Sequence, residues 1–97
     1  MDKIFEKKTT RPPATIRKRL NARLIALAAE YSDYGITHIW NDTKDRVLVK
    51  SKSAPVKAII IVSKNKLVGY MDVPIFIKSL MGNFQERLLQ EVDEIVK

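Results

Sequence analysis

Between residues 36 and 73 the chain carries four short β-prone runs joined by connections of only four or five residues. A parallel crossover needs a dozen residues or more, so these runs must pair antiparallel, each with the next. The runs fall at 36–40, 46–50, 56–62 and 67–73. Asn41-Asp42-Thr43-Lys44-Asp45 is turn chemistry, and Ser63 to Lys66 suits a tight hairpin. Pro55 falls where a strand begins, and 56–62 is the most β-prone stretch of the chain. Gly69 interrupts the fourth run and is expected to mark a bulge or a close packing contact.

On both sides of this block the period changes to that of a helix. Ile16, Leu20, Leu24, Leu27 and Tyr31 recur at steps of four, four, three and four, predicting a helix over about 14–32. Pro13 suits its first turn, and Gly35 supplies a stop. Phe84, Leu88, Val92 and Ile95 predict a second helix over about 84–96, with Asn83 as N-cap and Glu86 three residues on. Residues 1–13 read as a basic, flexible tail, and residues 14–97 as one α+β domain. The expected order is α-β-β-β-β-α: a four-stranded antiparallel sheet with the N-terminal and C-terminal helices packed on one face.

Composition narrows the chemistry. The 97 residues allow one domain, and an apolar fraction of 45% is that of a globular chain. No Cys is present, which removes disulfides, thiolate nucleophiles and Cys-based metal sites. The longest strongly apolar run, residues 58–62, is far too short to span a bilayer, and the N-terminus has no signal-peptide pattern. A cytoplasmic protein without cofactor or metal is expected.

Charge is uneven. Residues 1–23 carry eight Lys/Arg against two acidic residues, a balance of 8 − 2 = +6, whereas residues 24–97 carry ten against nine. Lys7, Lys8, Arg11, Arg17, Lys18, Arg19 and Arg23 form the basic set. They read either as a solvated face or as a non-specific contact for a polyanion such as nucleic acid. No zinc finger, recognition-helix pair or aromatic-rich RNA platform accompanies them.

A family resemblance emerges from the order of several weak motifs. Residues 22–30 (Ala-Arg-Leu-Ile-Ala-Leu-Ala-Ala-Glu) lead into Tyr34-Gly35-Ile36-Thr37-His38-Ile39-Trp40-Asn41-Asp42. Val47-Leu48-Val49-Lys50, residues 56–62, Asn65-Lys66-Leu67 and Asp72-Val73-Pro74 follow, then an apolar stretch and an amphipathic end over 75–95. In this sequence the chain resembles the polyhydroxyalkanoic acid system proteins, small bacterial proteins encoded near polyester storage genes. Ala54-Pro55 departs from the glycine that members often carry before the third strand, and the basic tail is longer. The resemblance implies association with polyester granules or their machinery and brings no catalytic residues.

Side-chain chemistry points the same way. His38 is the lone His, without the partners that a metal or acid–base site needs. Asp42 with Asp45, and Glu91 with Glu94, read as turn and solvated-helix carboxylates. Trp40 reads as a core or half-core residue, or as a flat contact for a partner. Ile75, Phe76, Ile77 and Met81, with Leu80, form an apolar cluster that suits either the chain's own core or an interface with a granule surface or a second subunit. The expectation is a non-enzymatic accessory protein of the polyhydroxyalkanoate system, binding the granule or a granule protein and able to form a homo-oligomer. The alternative is a small nucleic-acid-binding module using the basic N-terminal segment.

Overall fold

The computed structural model describes residues 1–53, 55–72 and 82–97. Its elements are β1 (Asp2–Lys8), α1 (Pro13–Glu30), a 3-10 turn (Ser32–Tyr34), β2 (Ile36–Trp40), β3 (Arg46–Ser51), β4 (Lys57–Val62), β5 (Lys66–Asp72) and α2 (Gly82–Val96). The class is α+β. Every strand pair is antiparallel, and the sheet order is β1-β5-β4-β3-β2.

The sheet has five strands rather than the expected four. The extra one is β1, formed by residues that read from sequence as a flexible tail. Five of its seven residues are charged, and its apolar pair, Ile4 and Phe5, is adjacent rather than alternating. A bulge between Lys3 and Phe5 explains this. It lets Phe5 enter the core while Ile4 packs against the same core from beside it. The meander of β2 to β5 follows the short connections. Because β1 lies at the edge opposite β2, α1 carries the chain across the sheet. Its 18 residues span about 27 Å, enough to cross five strands set about 4.8 Å apart.

Local chemistry accounts for the element ends. Pro12 and Pro13 open α1, where no backbone donor is needed. Gly35 closes the 3-10 turn in the left-handed region, with φ of 59°. α2 begins at Gly82, ahead of the expected cap at Asn83.

Register defines the two faces of the sheet. Trp40, Val47, Ile60, Gly69 and Phe5 are successive partners across all five strands and so share one face. Phe5, Val47 and Ile60 from this row meet Ile16, Leu20 and Leu24 of α1 and Val92 and Ile95 of α2 in one buried cluster. Leu67 and Val62, also partners, complete it. An apolar cavity of about 40 Å³ remains between Leu24, Leu27, Val49, Ala58, Ile60 and Leu88. It is an order of magnitude below the size of ordinary ligand sites.

Candidate functional site

Three features bring chemistry-bearing residues together: a polar trio between α1 and β2, a basic clamp on α2, and an apolar row on the sheet face opposite the core row.

The trio consists of Asn21, His38 and Trp40. Residues 38 and 40 share a strand face by period two, and α1 lays Asn21 over them. Trp40 Nε1 lies 3.1 Å from Asn21 Oδ1, and His38 Nε2 lies 3.0 Å from the same atom. An indole N–H only donates, so the amide atom it meets is the oxygen. A carbonyl oxygen only accepts, so His38 donates through Nε2. The lone His and lone Trp thereby fasten α1 to an edge strand. Asn21 went unnoticed in the sequence, where the one available signal was a poor helix former inside the helix stripe.

The basic set is largely engaged. Four of its seven members, Lys7, Arg11, Arg19 and Arg23, contact α2 or the residue after it. Lys7 Nζ lies 3.3 Å from Asp93. Arg11 Nε donates to Lys97 O at 2.7 Å, and Arg19 Nη1 donates to Ile95 O at 3.1 Å. Arg23 lies 3.0 Å from the buried Glu91 Oε2, which has no aligned hydrogen bond, so that contact is Coulombic. Thr9, buried at the end of β1, donates to Val96 O at 2.9 Å and accepts the Arg11 N–H at 3.1 Å. The last carbonyls of a helix lack partners within it and carry its negative end. Here Thr9, Arg11 and Arg19 supply the missing donors. The side chains of Lys8, Arg17 and Lys18 have no such partner among the described residues.

The opposite sheet face carries Ile39, Leu48, Ile59 and Tyr70 as successive partners across β2, β3, β4 and β5, ending at Lys3 on β1. Ile61 and Val68 form a second apolar pair beside them. Ile39 is 68% exposed, Leu48, Ile59, Ile61 and Tyr70 are half-buried, and Val68 is buried. Thr37, Lys50, Lys57 and Asp72 form the polar row on one flank, and Arg46 and Glu6 lie on the other. Lys3 and Lys66, both beside Glu6, hold its carboxyl below the ordinary range, Lys3 more strongly.

Of the apolar residues singled out from sequence, Trp40 is half-buried and turned toward Asn21 in the core row. Ile75, Phe76, Ile77 and Met81 lie outside the described residues. Asp42 and Asp45 do not form a carboxylate pair. Asp45 accepts instead from the Thr43 hydroxyl at 2.6 Å and the Asn41 amide at 2.5 Å. Among the described residues no group of three His, Asp or Glu converges to hold a metal ion, and no helix is long and apolar enough to cross a membrane. The chain matches no family model, no curated protein and no solved structure.

Proposed function

We propose that the protein is a non-enzymatic accessory protein of a polyhydroxyalkanoate storage system, acting in the cytoplasm and attaching to the granule surface or a granule protein. The observation that carries the attachment is the apolar row Ile39–Leu48–Ile59–Tyr70 on the face opposite the core. We further infer that both helices pack on the core face, so that this row, exposed at Ile39 and half-buried at Leu48, Ile59 and Tyr70, is where a partner attaches. A polyester surface is apolar and extended, and it matches a flat row of branched and aromatic side chains better than a pocket. Each such side chain removed from water supplies about 1.5–3 kcal/mol before the cost of association. The link to polyester itself comes from the resemblance of about residues 15–96 to the polyhydroxyalkanoic acid system proteins.

The alternative, nucleic-acid binding through the N-terminal basic segment, has less support, because four of its seven residues already serve α2. Co-sedimentation with polyhydroxybutyrate particles separates the two. Attachment through the apolar row survives a rise in salt from about 50 to 200 mM, whereas phosphate contacts weaken steeply over that range. The Leu48→Lys/Ile59→Lys variant, first shown to be folded, should stay in the supernatant. Particle binding unchanged in that variant would exclude this face.

A further inference from the structure

The two edges of the sheet are built differently. β1 has the devices that keep an edge from pairing: charged residues at Asp2, Lys3, Glu6, Lys7 and Lys8, and a bulge between Lys3 and Phe5. β2, at the opposite edge, reads Ile-Thr-His-Ile-Trp. It has no acidic residue, Lys, Arg or Pro, and its register with β3 runs unbroken through all five residues. At its edge Ile39 is the most exposed large apolar side chain among the described residues, at 68%.

The phase of the ladder identifies which backbone groups are open. Asn41 N–H donates to Arg46 O at 3.0 Å, just beyond the end of the β2–β3 pair. Hydrogen-bonded pairs recur at every second residue, so Ile39–Leu48 and Thr37–Lys50 are the bonded pairs. The N–H and C=O groups of Ile36, His38 and Trp40 therefore point away from β3. The next ladder agrees. Ser51 N–H donates to Val56 O and Val62 N–H to Asp45 O, which turns residues 47, 49 and 51 toward β4 and leaves 46, 48 and 50 for β2. No hydrogen bond among the described residues uses the backbone groups of Ile36, His38 or Trp40 on the open side.

We propose that β2 pairs antiparallel with β2 of a second copy of this chain, about a two-fold axis at His38. The strand is complementary to itself in this register. Ile36 meets Trp40 of the second copy, His38 meets His38, and Trp40 meets Ile36. All three open N–H and all three open C=O groups of each copy are then used. On the other face Thr37 lies opposite Ile39 of the second copy and covers it. The two sheets become one, and the apolar row of each copy runs on into the Thr37–Lys50–Lys57–Asp72 row of the other. β2 carries no Asp, Glu, Lys or Arg in either copy, so no such charge in the strand opposes the contact. The overall charge of +7 on each copy does, so added salt strengthens the dimer. A five-residue strand pair buries less than a standard interface, so monomer and dimer exchange with concentration.

This inference does not depend on polymer binding. Sedimentation equilibrium of the full chain between roughly 10 and 500 µM tests it, together with amide exchange. The mass should rise with concentration from 11.1 kDa toward twice that value, and the Ile36, His38 and Trp40 amides should become protected in step. The Thr37→Lys/Ile39→Lys variant changes two exposed side chains and sets ammonium groups opposite one another across the axis. It should lower the association constant at least tenfold and leave the three amides unprotected, with an unchanged far-UV spectrum. A wild-type protein that stays monomeric throughout would overturn the proposal. So would a dimer in which those three amides still exchange freely, whether another interface or an extended peptide partner then accounts for association.

Discussion

Gly69 on β5 lies directly beneath the ring of Phe5 on β1: a Cβ at position 69 would stand 2.2 Å from Phe5 Cε1 and 2.6 Å from Cζ. The glycine is there for space. Its backbone holds an ordinary strand conformation, and the missing side chain lets the aromatic ring of an edge strand lie over β5 into the core. Phe5 is 6% exposed, so the ring has little room to retreat. Gly69→Ala should therefore cost about 1–3 kcal/mol in urea unfolding. Phe5→Leu in the same chain should recover part of that loss, because a smaller side chain makes room for the methyl. A loss in the double variant equal to the sum of the two single losses would show the two residues to be energetically independent.

Removing the acceptor shared by Trp40 and His38 leaves a half-buried indole N–H without a protein partner. Asn21→Ala should destabilise by about 1–2 kcal/mol, even though alanine is the better helix former. The spectroscopic consequence is more specific. In the wild type the neutral His38 ring holds its proton on Nε2, and nitrogen shifts should report one tautomer. In the variant the two tautomers should mix.

The meander was legible because connections of four or five residues permit only neighbouring antiparallel pairs. The stripe of α1 was legible because Ile16, Leu20, Leu24 and Leu27 are all buried, as their spacing requires. β1 was not legible. Alternation is the sequence signal of a strand, and the bulge at Ile4 removes it just where the apolar residues stand. The same limit applies to the basic segment. A count of charges cannot distinguish arginines facing water from arginines capping a helix that begins far later in the chain, at Gly82, and Arg11 and Arg19 are of the second kind.

The β2–β3 turn should respond to pH. The Thr43 hydroxyl first, and the Asn41 amide after it, hold the Asp45 carboxyl below its ordinary value. A carboxyl with a depressed folded-state pKa contributes stability above its unfolded pKa and loses it as pH falls through the folded value. The advantage of wild type over Asp45→Asn should thus be full at neutral pH and shrink below about pH 4. In the same turn Lys44 has φ of 60°, in the left-handed region. Lys44→Gly should stabilise by up to about 1 kcal/mol at any pH, as relief of the Cβ clash exceeds the entropy glycine adds to the unfolded chain. Equilibrium unfolding at pH 3 and pH 7 checks both.

Two arginines one half-turn apart on α1 separate the structural role of the basic segment from a polyanion-binding one. Arg19 donates to Ile95 O at the end of α2, whereas Arg17 has no partner among the described residues. Arg19→Met and Arg17→Met remove the same charge and keep similar bulk. The first should cost about 1–2 kcal/mol, since it strips a donor from the closing turn of a helix. The second should fall within about 0.5 kcal/mol of wild type. The same arrangement limits DNA binding. With four basic residues already placed on α2, only Lys8, Arg17 and Lys18 of the set remain for phosphates. The logarithm of duplex affinity through this set alone should then fall against the logarithm of salt with a slope no steeper than about −2.7. A slope near −6 would mean that DNA draws Lys7, Arg11, Arg19 and Arg23 away from α2, and amide exchange in residues 91–96 should then accelerate on binding.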